Sequence, residues 1–182
     1  VLDNLRSDAK RYSPYGGWWR NLGFWIGGLY RASSAVHNLR IPILRPVLIL
    51  LIWILKKPFY LIFHIELPHT VKMGPGILML HPFDIFIGGR VEIGAGCSIY
   101  HDVTIASYSK TACLKIGDGV VIFPGARIIG DISLGEHSEI GANCVITKNI
   151  DPYSVVIPPL PRSIPQSLLR KGSRSPDENE NR

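Results

Sequence analysis

Residues 116–146 read IGDGVVIFPGARIIGDISLGEHSEIGANCVI, and an aliphatic residue returns there every six positions: Ile116, Ile122, Ile128, Leu134, Ile140 and Ile146. Four places after the leading residue comes a small or β-branched one: Val120, Ala126, Ile132, Ser138 and Cys144. An α-helix repeats every 3.6 residues and a strand every two, so a strict six belongs to a larger unit, a short strand followed by a sharp turn. Three such units close one triangular coil, with the large aliphatic inside the prism and the small residue near its corner. Stacked coils pair their backbones in parallel, and glycine at the turns relieves steric strain. The expected fold is mainly β: a left-handed parallel β-helix, a known exception to the rule of right-handed crossovers.

The repeat continues upstream through Ile87, Ile93, Ile99 and Ile105, with Val91, Cys97 and Val103 at the small positions. It slips twice. From Ile105 to Ile116 the step is eleven, so ASYSKTACLK (106–115) holds about five extra residues, expected to bulge as a loop. Before that, Met73, Met79 and Ile85 keep the period but are offset by two residues.

Either side of the repeats the chain changes character. We expect an apolar, helical N-terminal region (1–66), a solenoid domain (67–165) and a polar, disordered tail (166–182). In the first region Pro46 suits a helix start, and Pro46 to Leu55 is apolar on every side before Lys56, Lys57 and Pro58 interrupt it. About ten residues are too few where a bilayer crossing needs about 20. Two readings stay open: a helix buried against protein, or a peripheral helix lying on a membrane surface with its basic residues toward headgroups. The net charge of +6 and pI near 9.4 suit an anionic partner. No zinc-ligand spacing or RNA-binding aromatic signature is present, so neither a metal nor nucleic acid is expected. Three cysteines, without a CxxC, argue against a disulfide framework and for a reducing compartment. No signal-peptide pattern opens the sequence; a cytoplasmic protein, or one at the inner face of the membrane, is expected.

One stretch, GPGILMLHPFDIFIGG (74–89), sets an imidazole, His81, and a carboxylate, Asp84, in a segment otherwise built like a core. With GRVEIGAGCSIYHDVTI, the repeats of 116–150 and the closing VVIPPLPRSI, it resembles the hexapeptide-repeat acyltransferases. Within them it looks most like the serine O-acetyltransferase branch, including the shorter enzymes that acetylate bacterial surface-polysaccharide precursors. The resemblance covers a little over half the chain and implies a homotrimer with acetyl-CoA in the groove between subunits.

It also implies roles. His81 aligns with the general base that takes the proton of an acceptor hydroxyl, a task suited to a ring that titrates near neutrality. Glu66, fifteen residues upstream, aligns with the carboxylate that orients it, the logic of a hydrolase triad. His101, in SIYHDVTI, matches a histidine of the polysaccharide-type relatives and is an acceptor-site or auxiliary acid/base candidate, against a plain solvent-facing role. Gly125, Ala126, Gly141 and Ala142 match the close approach of the pantetheine arm, and Lys148 and Arg162 the basic residues near the nucleotide phosphates. Asp84 has no counterpart and suits a turn residue.

Two departures bear on the acceptor. True serine acetyltransferases carry an acidic ligand for the serine amine just before the base, where this chain has Leu80. A second histidine of their protruding loop is replaced by Cys113. Cys97 and Cys144 are expected as core filler. The expected function is therefore acetyl transfer from acetyl-CoA to a sugar hydroxyl of a surface polysaccharide or lipid-linked glycan precursor. Serine acetylation is the alternative, followed by a non-catalytic assembly role; a three-histidine zinc site as in the carbonic anhydrases of this fold cannot be placed.

Overall fold

The computed structural model describes residues 2–108, 112–160 and 163. Arg162 and the tail from 166 lie outside the described residues. Three helices come first: α1 (Leu2–Arg11), α2 (Leu22–His37) and α3 (Leu44–Phe63). Thirteen short strands follow. They are β1 (Lys72–Met73), β2 (Leu78–Met79), β3 (Phe86–Gly88), β4 (Val91–Ile93), β5 (Ser98–Ile99), β6 (Thr104–Ala106), β7 (Leu114–Ile116), β8 (Val121–Ile122), β9 (Arg127–Ile129), β10 (Ser133–Leu134), β11 (Glu139–Ile140), β12 (Val145–Ile146) and β13 (Val155–Val156). They form three parallel sheets, β1-β4-β7-β10, β13-β11-β8-β5-β2 and β12-β9-β6-β3, the faces of a left-handed β-helix of about four coils.

The repeat positions behave as their period requires. Ile87, Ile99, Ile105, Ile122, Ile128 and Ile140 are wholly buried, and so are the small partners Cys97, Val103, Val120, Ala126 and Ser138. Ladders such as Ile99↔Ile122↔Ile140 carry one column of side chains up the prism. The eleven-residue step opens between β6 and β7, as expected.

The two-residue offset has a different origin from a second phase. Met73 pairs with Ile93 and Met79 with Ile99, so both methionines are true leading residues of the first coil. The shift occurs later, between β2 and β3: Leu78 pairs with Ser98, twenty residues on, but Phe86 pairs with Thr104, eighteen on. Two extra residues therefore sit in the turn that holds His81.

The helices cap the first coil. One face of α2, Gly23, Ile26, Gly27, Tyr30 and Arg31, is buried at helical spacing. Arg31 donates from Nε and Nη2 to the Asp8 carboxylate (2.6 and 2.9 Å) and from Nη2 to Gly74 O (2.7 Å), while Ile77 N donates to Asp8 Oδ1. The pair is nearly sealed from solvent and every polar atom of the carboxylate is used, which fixes α1 and α2 to the solenoid. Tyr12 adds a second bolt: its hydroxyl accepts from Met79 N at 2.9 Å.

The sequence reading of α3 is corrected. The helix runs through Lys56, Lys57 and Pro58 to Phe63, 20 residues in all. Lysine is a good helix former, and Lys56 sends its ammonium to Leu67 O at 2.8 Å; the interior proline, Pro58, removes a single hydrogen bond without ending the helix. By length and mean hydropathy, 1.9, α3 is able to cross a membrane.

Candidate active site

The turn between β2 and β3 is built to hold a side chain out of an apolar wall. Leu78, Met79 and Leu80 are buried, His81 is exposed, and Ile85 and Ile87 are buried again. His81 and Asp84 both have φ of +50°, a left-handed conformation that recurs at coil corners, at Asp102 (+54°), His137 (+53°), Asn143 (+59°) and Tyr153 (+57°), and so belongs to the turn geometry of the solenoid. The bend is held from outside. Asp84 N donates to Phe63 O (2.9 Å), His64 Nδ1 lies 3.1 Å from Asp84 Oδ1, and the Phe63 and Phe83 rings meet edge to face at 5.2 Å. Asp84 is thus the turn residue expected of it, and it also anchors the end of α3.

The corresponding corner of each later coil stacks above this one, about 4.8 Å per step. His101 occupies it in the second coil, between β5 and β6, and is exposed. Asp102 N donates to Phe83 O (2.7 Å), Gly125 N to His101 O (3.3 Å) and Asn143 N to Pro124 O (2.9 Å), so the edge is one continuous backbone ladder. Gly125 suits the corner: its φ is +77°, and with no Cβ it leaves room for the Asn143 side chain, whose Oδ1 would stand 2.1 Å from one. Arg127 donates from Nη2 to Asp102 Oδ1 at 2.8 Å and stiffens the His101 corner.

The structure therefore brings His81, His101, Gly125, Ala126, Gly141 and Ala142 to one edge of the prism. Ala126 has its side chain inside, so only its backbone faces out, whereas Ala142 is exposed. Lys148 follows β12 on the neighbouring edge, the edge of Ser107 and Cys113. The repeats did not reveal an aromatic lining beside the histidines: Tyr100 stacks on Phe123 at 5.5 Å, and Phe83 and Phe86 are exposed. Its sequence signal is an aromatic next to the turn in each of three coils, Phe83, Tyr100 and Phe123.

Glu66 lies beside the same turn, bridged to Phe86 and with its amide on Ile85 O at 2.9 Å. Its side chain lines a cleft of about 400 Å³ between α2, α3 and the first coil, together with Ile26, Trp53, Lys56 and Phe59. Burial there lowers the Lys56 pKa, and the Glu66 charge opposes that shift. Within the single chain no hydrogen bond joins Glu66 to His81. Leu80 is directed away from the edge, buried in a cluster with Tyr12 and Leu78. Cys97 and Cys144 are buried and free, as core filler should be; burial pushes the Cys97 thiol up to about 11. Among the described residues no three His, Cys, Asp or Glu side chains gather as metal ligands would.

Comparison with known proteins adds an independent line. The bacterial transferase hexapeptide (six repeats) family matches residues 114–148. A serine acetyltransferase of Mycobacterium tuberculosis is 32% identical over 107 residues, 57% of this chain but only 44% of that enzyme. The serine acetyltransferase of Helicobacter pylori is 29% identical over 131 residues, 70% of this chain and 72% of that one. The structure of a serine acetyltransferase in complex with CoA shares the fold, with a TM-score of 0.70 at 24% identity over 86% of this chain and 67% of that chain.

Proposed function

We propose that this hexapeptide-repeat solenoid, similar in sequence and fold to serine acetyltransferases, is an acetyl-CoA-dependent O-acetyltransferase. The observation that carries the reading is the exposed His81 in the widened left-handed turn, on the edge that also holds His101 and the Gly125 and Gly141 corners. Neutral His81 takes the proton of an acceptor hydroxyl as that oxygen attacks the thioester carbonyl. The tetrahedral intermediate that forms carries its negative charge on the former carbonyl oxygen. Collapse breaks the C–S bond, the imidazolium returns its proton to the departing thiolate, and the ester and free CoA leave. Glu66 is proposed to stabilise the imidazolium, and Lys148 and Arg162 to meet the nucleotide phosphates. A homotrimer, with each site between two subunits, would set Cys113 and Lys148 of one against the His81 edge of the next.

Serine is the acceptor the comparisons favour, and it stands ahead of the sugar hydroxyl preferred from sequence. One observation supports the sugar as a second reading: Leu80, beside the base, is apolar and buried, so it cannot pair with the ammonium of serine. Release of CoA thiol from acetyl-CoA, measured with serine and with a panel of sugars, tests both. His81→Ala should lower the acceptor-stimulated rate by about 10²–10⁴. Stimulation by serine alone removes the sugar reading, and stimulation by a sugar alone removes serine. Absence of CoA binding by calorimetry would overturn the transferase reading altogether.

A further inference from the structure

The N-terminal region combines two properties that a freely soluble surface does not keep together. α3 is about 30 Å long at 1.5 Å per residue, and only 6% of its most apolar window is buried. Ile52 faces the protein, while Ile43 (84% exposed), Leu50, Leu51, Ile54, Leu61 and Ile62 face solvent. A contiguous apolar surface of this extent marks an interaction site. The net charge lies in the same place. Residues 1–66 hold nine Lys and Arg against three Asp and Glu, whereas 67–182 hold eleven of each, so the whole +6 belongs to the region that carries α3. One of the three acids, Asp8, is consumed by buried Arg31. All four tryptophans of the chain (Trp18, Trp19, Trp25 and Trp53) are in this region and are 43–63% exposed, with Arg20 over Trp19 and Lys57 over Trp53.

We propose that the outward face of α3 docks the protein on an anionic lipid surface, the helix lying in the plane of the interface. Apolar residues enter the acyl boundary, tryptophans sit at headgroup depth, and Lys57 and Arg20 meet lipid phosphates. Exposed aliphatics, exposed tryptophans and a basic excess in one region together match an anionic lipid surface, which offers acyl chains and phosphates side by side. The in-plane orientation follows from two tethers on the helix. At its middle, Lys56 binds Leu67 O, and at its end, Phe63 and His64 hold the 83–84 turn. A helix whose middle and end are both fastened to the first coil lies along it and does not leave it to span a bilayer. The docking does not depend on the catalytic reading.

Flotation with vesicles of phosphatidylglycerol and phosphatidylcholine, against phosphatidylcholine alone and without acetyl-CoA, tests it. The native chain should float with the anionic vesicles, with a blue shift of tryptophan emission, and less so at high salt. Leu50→Glu/Leu51→Glu/Ile54→Glu should weaken binding more than about tenfold with an unchanged thermal transition, and Arg20→Glu/Lys57→Glu should abolish the preference for anionic vesicles. Failure of the native protein to float overturns the proposal, as does flotation that survives the triple substitution. It is also overturned if the triple variant dissociates in light scattering while the native protein ignores vesicles, which would show that a second copy covers α3.

Discussion

At Gly23 the first turn of α2 lies so close to β2 that a Cβ would stand 2.0 Å from the carbonyl oxygen of Met79, an atom of the backbone that cannot swing aside. Gly23→Ala should therefore destabilise the fold by about 1–3 kcal/mol in urea unfolding, although alanine is the better helix former. His81 shows the complementary case, a residue with a Cβ held in a conformation that glycine prefers. The sequence identified this histidine through its neighbours, but not its bend: that depends on Phe63, Asp84 and Phe83, whose contacts cross from a helix to a coil. Glu66, expected from the resemblance to orient His81, makes no hydrogen bond to it within the chain, and its place beside Lys56 was not foreseen, because Lys56 comes from an element whose end was misjudged.

Among the elements, the strands were legible because a six-residue period is enforced by the prism itself, and a wrong residue inside has nowhere else to go. The helix α3 was not, because local rules weigh Lys-Lys-Pro as a stop while the Leu67 carbonyl that accepts from Lys56 is supplied only by the fold. The junction of α2 and α3 with the first coil also has a pH dependence. His69 is pushed below the usual histidine range, first by burial and then by His37, Lys56 and Arg45, with no carboxylate among the causes. Its neutral form is the one the fold favours, so this contribution to stability is fully present above the unfolded pKa near 6.5 and is lost as pH falls through the lower folded value. The thermal midpoint should drop between pH 7.5 and 5.5, and His69→Gln should flatten that slope.

As a whole the molecule is a one-dimensional stack with unlike ends. The first coil is closed by α1 and α2 through Asp8, Arg31 and Tyr12, whereas among the described residues the last element after the fourth is the two-residue β13. In such a stack each layer is stabilised by its neighbours, so the middle should outlast the open end. Amide hydrogen exchange should show Ile99, Ile105 and Ile122 protected longest and Ile146 and Val156 released first; uniform protection would contradict the layered picture. The closed end has a further property. Phe63 and His64 finish α3 and, in the same few atoms, hold Phe83 and Asp84 beside His81. Whatever settles on the helix and whatever settles against the imidazole are therefore linked ligands of one junction. By thermodynamic reciprocity, any factor by which the first alters the affinity of the second is the factor by which the second alters the first.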